Sequence, residues 1–529
     1  MQGITYLDAL ASFGKMGPKD EEVSWKLETL LDEMAWCGIH GALVYHNVAR
    51  EYDPAYGNRM LMEAISGNPR LFPCWVVLPH DCGEMPPPKR LVKDMLAAGV
   101  RAVRMAPRSQ NYLLEEYVCG ELLDALAGEQ ILLSIGIDQT SYGDLFQIAS
   151  RRPGLPILMT GCSWAATRNI LPLMDKCPNV HIEFSTFQAN YALEEFTERY
   201  GAERLLFGTD ALLKSMGAAK SFVDYAELGE SDRKLIAGGN LARLLRLERL
   251  PEEYPARTDG PILSRVKEGL PLEHVTVIDS HAHMSHNDAR GVGYMPMPRS
   301  DAKHMIRRNR RLGIDKVAIS SWMGIFADCE EGNVILKDAM DQFPDDIIGY
   351  ATLDPNYLTA EEFDRWMRVA HEEWGFKGMK PYNPRVRIPY NSPRYDQWYT
   401  YGNEHRLFCL LHSSGGNFIN EVADISKRYP EISFLLAHSG GDYPTARERL
   451  PLVKERDNVY LEITLTPVTY RIIEYMVKHV GAEKVLFGTD APMRDPIPQF
   501  GWMCYSRCSE EELELMLGKN MERILARCR

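Results

Sequence analysis

The 529-residue chain has no apolar run approaching the eighteen or more residues that a membrane span needs. Its opening residues, Met-Gln-Gly-Ile-Thr-Tyr, lack a basic segment followed by an apolar one, so no secretory leader is expected. None of the eleven cysteines forms a C-x-x-C pair, and in a chain of this size they read as reduced thiols of a cytoplasmic protein, not a disulfide frame. Basic residues are also in deficit. A net charge of −13 argues against a nucleic-acid backbone or an anionic membrane as partner. What remains is an ordinary globular composition, 45% apolar and 25% charged, whose expected partner is a small-molecule substrate.

The chain does contain a near-copy of itself. Gly201-Ala-Glu-Arg-Leu-Leu-Phe-Gly-Thr-Asp-Ala211 and Gly481-Ala-Glu-Lys-Val-Leu-Phe-Gly-Thr-Asp-Ala491 agree at nine of eleven positions, 280 residues apart. The correspondence runs on through Ile4–Asp8 with Val275–Asp279, Gly38-Ile39 with Gly313-Ile314, Gly99–Arg104 with Gly375–Lys380, and Gly238–Asn240 with Gly518–Asn520. A period of this length means a duplicated domain. Two domains of about 250–265 residues have the size of (β/α)8 barrels.

The second half supports that fold in detail. Its short apolar runs are Val275–Ile278, Val317–Ser320, Ile347–Leu353, Gly378–Lys380, Phe408–His412, Phe434–His438, Val459–Ile463 and Val485–Gly488, with helical stretches between them. Eight such runs are what a parallel barrel requires. The expected fold is therefore α/β, two tandem TIM-type barrels, over residues 1–248 and 273–529. Residues 249–272, rich in proline and glycine, form the linker.

Histidines distinguish the halves. His281 and His283 follow the first run of the second half at i, i+2 spacing, which puts both imidazoles on one face. Lys380, His412, His438 and Asp490 end the fourth, fifth, sixth and eighth runs. In a barrel these ends meet at the C-terminal rim, where active sites of the fold sit. Several imidazoles and a carboxylate converging there suit a divalent transition metal with an open position for water. Lys380 can pair with a substrate carboxylate, bridge two metals as a carbamate, or neutralise the acids. The first is favoured, because Arg385 and Arg387 follow at once and arginine grips carboxylates bidentately, although loop arginines, Arg387 above all, also serve as solvent-facing charges; Tyr382, between Lys380 and Arg385, is a further substrate-binding candidate. His286, on the loop after the first run, either lines the pocket or faces water. Trp322, Met323 and Phe326, with Trp398 and Tyr399, are candidate pocket walls for an unsaturated substrate, though aromatics at such places more often pack. The basic run Arg307–Arg311 reads as the solvated face of a helix.

These motifs also resemble a known family. Ile-Asp-Ser-His-Ala-His, His412, Ala437-His438-Ser439-Gly440 and Leu-Phe-Gly-Thr-Asp-Ala-Pro are similar to the amidohydrolase superfamily, in its amidohydrolase-2 branch with the aminocarboxymuconate semialdehyde decarboxylases and related hydrolases. The resemblance implies that His281, His283, His412 and Asp490 hold the metal, zinc first and manganese second. It makes His438 either an imidazole supporting the metal ligands or the catalytic one, facing the reacting group. Metal-activated water would attack an amide, lactone or similar bond of a carboxylated substrate, with Asp490 relaying the proton. Decarboxylation is the alternative, because His-x-His occurs in both kinds of enzyme. A non-catalytic binding scaffold is the reading of another class, and the intact cluster speaks against it.

The first half keeps the skeleton and loses the donors. Leu10 and Ser12 stand for His281 and His283, Gly136 for His412, Gly161 for His438 and Arg104 for Lys380; only Asp210 remains. His46 is expected to be structural. A silent barrel packed on the active one follows, with homo-oligomer formation left open.

Overall fold

Apolar runs and amphipathic helices alternate through both halves, and each set of eight runs becomes one parallel sheet. The computed structural model describes residues 3–16, 22–251, 254–255, 257–413 and 415–529. The chain divides into two units, Met1–Asp259 and Gly260–Arg529. In the first, β1 (Leu7–Phe13), β2 (Gly41–His46), β3 (Leu71–Val76), β4 (Ala102–Met105), β5 (Leu132–Gly136), β6 (Ile157–Thr160), β7 (Val180–Glu183) and β8 (Leu205–Leu206) pair in chain order. In the second, β9 (Ile278–Met284), β10 (Lys316–Ser321), β11 (Ile347–Ala351), β12 (Gly378–Met379), β13 (Phe408–Leu411), β14 (Ser433–Leu436), β15 (Val459–Glu462) and β16 (Val485–Leu486) do the same. Backbone bonds then close each ring: Ala9 N–H to Phe207 O (2.8 Å) in one, Ser280 N–H to Phe487 O (3.0 Å) in the other. Both units are TIM-type barrels.

The lower end of each barrel carries the apolar core. Leu7, Leu43, Leu132, Leu158 and Leu206 pack against Leu241, Leu244 and Leu245 of the closing helix Asn240–Leu245. Ile278, Phe408, Leu410, Leu435 and Leu486 pack against Met521 and Ile524 of the helix Asn520–Arg527. Burying each such side chain contributes about 1.5–3 kcal/mol. The repeated Gly-x-Asn explains how these helices seat. Asn520 Nδ2 donates to Ala482 O (2.8 Å) and Val485 O (2.9 Å), and Asn240 Nδ2 makes the matching bonds to Ala202 O and Leu205 O. A Cβ on Gly518 would stand 2.0 Å from Thr276 O, so only glycine allows the approach.

A second shared device joins the first strand to the last. Asp279 accepts from His281 N–H and Thr489 N–H (both 3.0 Å) and from the Thr489 hydroxyl (2.5 Å). Asp8 accepts likewise from Leu10 N–H (2.9 Å), Thr209 N–H (3.0 Å) and the Thr209 hydroxyl (2.5 Å). Each clasp sits beside an extra residue in the first strand, between Asp279 and Ala282 in β9 and between Asp8 and Ala11 in β1. Bulges of this kind re-aim side chains next to active sites.

Three expectations change in the structure. His281 and His283 lie inside β9 and do not follow it, because the bulged strand runs on past the apolar run. The segment 249–272 is not all linker: Pro261–Lys267 is a helix that buries Ile262, Leu263 and Val266 within the second unit. The basic run lies on the helix Ala302–Leu312 as predicted, yet Arg308 is only 1% exposed and pairs with Asp495 at 2.7 Å.

Candidate active site

His281 and His283 are buried on β9, and each is oriented through Nδ1. Nδ1 of His281 bonds Glu462 Oε2 (2.9 Å), and Nδ1 of His283 bonds the Ser320 hydroxyl (2.8 Å). Both rings therefore present Nε2, the way that metal-binding histidines are held by their outer partners. The two Nε2 atoms converge on Asp490 Oδ1, at 3.6 Å from His281 and 3.0 Å from His283. Ligands about 2.0–2.2 Å from one tetrahedral ion stand about 3.3–3.6 Å apart; the His281–Asp490 separation matches that, and the hydrogen-bonded His283–Asp490 pair need part only slightly, so this donor set fits a divalent ion. Asp490 follows β16 in the left-handed region (φ 57°), its amide donating to His281 O (2.6 Å). Burial opposes its charge, but the Arg494 guanidinium (2.6 Å), the His283 bond and the other imidazoles hold the carboxyl well below the usual range.

The remaining groups form a second tier. His438, two residues past β14 with φ 64°, sets Nδ1 against Thr464 O (3.1 Å) and the Thr464 hydroxyl (2.8 Å). Glu462 ties the tier together, accepting from His438 N–H (3.2 Å), Thr464 N–H (2.7 Å) and the Thr464 hydroxyl (2.9 Å) as well as bonding His281. Burial pushes Glu462 up to about 7 against those bonds. Burial likewise drives the His281 and His438 imidazoles well below their ordinary value, helped by the charge of Lys380 at the first and of His412 at the second. Lys380, 1% exposed, places Nζ 3.4 Å from His281 Nε2, and burial lowers it to about 8 despite Asp490 and Glu462.

The structure brings His281, His283 and Asp490 together, with His438 and His412 beside them. Two groups of donors lie within 4.8 Å of one another, His281–His283–Asp490 and His281–His438–Glu462. His412 packs its ring 4.6 Å from that of His438 and spends Nδ1 on Ser413 O (3.0 Å). Beside the cluster opens a cavity of about 200 Å³, lined by Lys380, Tyr382, Arg385, Phe326, Thr352 and Tyr357. The Arg385 guanidinium lies 4.7 Å over the Phe326 ring, and Tyr382 meets His412 edge-on at 5.4 Å. Phe326 stacks on Trp322, which in turn lies 4.1 Å from the His283 ring. Arg387 is exposed, and His286 stands exposed on the loop after β9, outside the cavity lining. Trp398 and Tyr399 are fully buried core.

Sequence reasoning passed over Glu462, Ser320, Thr464 and Arg494. A signal existed for two of them. Glu462 has a buried counterpart, Glu183, at the end of β7, and the pair Asp490–Arg494 is repeated as Asp210–Lys214 at 3.0 Å. Glu462→Gln is expected to lower divalent-metal affinity about 10–100-fold with the fold intact, because it loosens His281 without removing a donor. Competition with a chromogenic chelator measures it, and an unchanged affinity would remove Glu462 from the metal-supporting role.

Among the described residues, both donor groups lie in the second unit. In the first, Leu10 and Ser12 are buried in place of the imidazoles, and His46 caps the helix Asn47–Glu51 by accepting from Val48 N–H (3.2 Å).

This combination of barrel and rim defines a family. The amidohydrolase family model matches residues 35–247 and 278–527, and the chain belongs to that family. Members of the superfamily bind divalent metal, which the donor set here fits. Solved structures of similar fold include a dihydroxybenzoic acid decarboxylase from Polaromonas sp. JS666, holding manganese and 2-nitroresorcinol, at 16% identity over 48% of this chain and 97% of that one (TM-score 0.39). A 4-oxalomesaconate hydratase from Rhodopseudomonas palustris matches at 18% identity over 48% and 96% (TM-score 0.37). A 5-carboxyvanillate decarboxylase from Novosphingobium aromaticivorans matches at 15% over 48% and 97% (TM-score 0.38). No curated protein matches the chain. Among the described residues, no helix is long and apolar enough to cross a membrane.

Proposed function

We infer that residues 273–529 form a zinc-dependent hydrolase of small carboxylated molecules and that residues 1–248 form a catalytically silent barrel. One observation carries the reading: the buried His281–His283–Asp490 donors adjoin, through Lys380, a cavity that also holds Tyr382 and Arg385. A divalent ion on those donors would supply an activated water and polarise a substrate oxygen. Lys380 and Arg385 bind the substrate carboxylate, the lysine as a buried point charge and the arginine as a fork. Asp490, kept ionised by Arg494, takes a proton at its carboxylate and returns it to the leaving group. When Glu462 is ionised it draws the Thr464 hydroxyl proton, so His438 Nδ1 is the donor and Nε2 is free to exchange a proton with the reacting group. The stacked Trp322 and Phe326 rings form an apolar wall that keeps bulk water from the reaction.

The same wall would also seat an unsaturated acid whose carboxylate leaves, which makes decarboxylation the competing reaction. Turnover in ¹⁸O-labelled water separates the two. Hydrolysis puts solvent oxygen into an organic product. Carbon dioxide release with no label in any organic product would replace hydrolysis by decarboxylation.

A further inference from the structure

The lower end of the first barrel holds a cavity of about 310 Å³. It opens among the residues that lead into β5, β6 and β7 and the closing helix Asn240–Leu245 with its C-cap. Gln130, Gly154, His181, Arg243, Leu244 and Arg246 line it, and no acidic side chain does. Arg243 Nη2 donates to Glu203 O (2.9 Å) and Asn240 Oδ1 (3.4 Å), and Arg246 Nη2 donates to Gln130 Oε1 (2.7 Å). All three acceptors are neutral. Among the described residues, neither guanidinium is paired with a carboxylate. Glu203 meets Arg243 through its backbone oxygen, and its carboxylate lies against Gly201, outside the lining. The field at this end is accordingly positive. His181, 6% exposed, is pushed down to about 3 by burial and by the charges of Arg243 and Arg204.

The duplication supplies a comparison within the same chain. Pro430-Glu431 of the second barrel corresponds to Pro153-Gly154 of the first, and Arg406 to Gln130, both left-handed (φ 56° and 52°) and just before the fifth strand. Glu431 pairs with Arg406 Nε (3.1 Å) and with Nη2 of Arg527 (3.2 Å), the last residue of that barrel's closing helix. The second barrel thus sets a carboxylate of its own between two arginines. The first barrel keeps an arginine at the end of its closing helix, Arg246, and has no carboxylate to meet it. Tyr460 of the second barrel is replaced by the smaller His181. A Cβ on Gly154 would meet nothing nearer than Ala127 O at 3.8 Å, so the place of the Glu431 side chain is open. We propose that this pocket binds a small organic carboxylate, which takes beside Arg246 and Arg243 the position that Glu431 holds in the second barrel. The guanidinium fork matches a carboxylate in two parallel bonds, and Leu244 offers the ligand's body an apolar contact. The proposal stands whether or not the second barrel is a hydrolase.

NMR of the full chain carrying ¹³C-labelled histidine tests it. The His181 ring reports from the pocket itself, and its signal is assigned by its loss in His181→Tyr. The ring is neutral near pH 7, so a small drift in pH does not imitate binding. Titration with benzoate or succinate is expected to move that signal saturably, while sodium chloride at equal ionic strength leaves it in place. Gly154→Glu sets the second barrel's carboxylate into the open space, and Arg246→Met removes the charge. Each is expected to weaken the response about tenfold or more, as loss of a charged hydrogen-bonded contact does. Gly154→Ala, which keeps the charge and most of the space, is expected to retain it. Positions 154 and 246 are exposed, so these substitutions leave the core untouched. A His181 signal that neither probe moves overturns the proposal. So does a shift that chloride reproduces, or one that Gly154→Glu or Arg246→Met leaves unchanged.

Discussion

Asp490→Asn is expected to cut turnover by about a thousandfold or more, while Asp210→Asn leaves it within about threefold. The two aspartates occupy the same place in the duplicated motif and share the left-handed backbone, with φ 57° and 55°. Only Asp490 has imidazole neighbours, His283 at 3.0 Å and His281 at 3.6 Å. Asparagine there is a poor metal ligand and cannot take a proton, so binding of the ion and proton relay fail together. It also leaves Arg494 buried beside a neutral group, so some loss of stability accompanies the loss of activity. Asp210 pairs only with Lys214, and its amide variant forfeits one partly exposed ion pair worth little to the fold. Steady-state rates of both variants, with melting temperatures as a fold check, make the comparison. Equal losses would mean that the first barrel takes part in the chemistry.

Metal content is the second large effect. Elemental analysis of the full chain should find one divalent ion, and His281→Ala/His283→Ala should carry essentially none. Two imidazoles removed from a three-donor site leave a single carboxylate, which cannot retain a transition metal against buffer. Dialysis against a chelator should abolish turnover in the parent, with recovery on adding zinc or manganese. Stoichiometric metal persisting in the double variant would place the ion elsewhere and end the assignment.

Much of the fold is legible because barrel strands are short, apolar and evenly spaced. Each of the eight runs read from the second half overlaps a strand of the structure. The misjudged boundary is at β9, where Asp279, Ser280, His281 and His283 are polar yet fully within the strand. A bulge and the Asp279–Thr489 clasp hold them there, and neither is a property of the local pattern. The site was legible only as far as the residues that carry imidazoles. Glu462 went unread because a single acid at a strand end looks like any surface carboxylate. Its meaning lies in four bonds to His281, His438 and Thr464, groups within or just past three different strands. His412, expected among the metal donors from its position after β13, stands beside the tight donor groups, with its ring edge-on to His438 and Tyr382. Spacing along a strand fixes where a residue starts, not how far its side chain reaches.

The aspartate clasps have a consequence for how the chain is made. Their partners are 201 residues apart in the first barrel and 210 in the second. Neither ring can shut until its own final strand has been synthesised, and closing so long a loop is entropically slow. The two final strands sit in nearly identical sequence, so an open first ring offers Asp8 two look-alike threonines, Thr209 and Thr489. Exchange of like segments is the characteristic misassembly of tandem domains. Synthesis at about 5–20 residues per second separates the two in time: Thr209 emerges well before Thr489 exists, and the first ring closes on its own partner. A denatured full-length chain has no such head start. Diluted from denaturant, it meets both threonines at once.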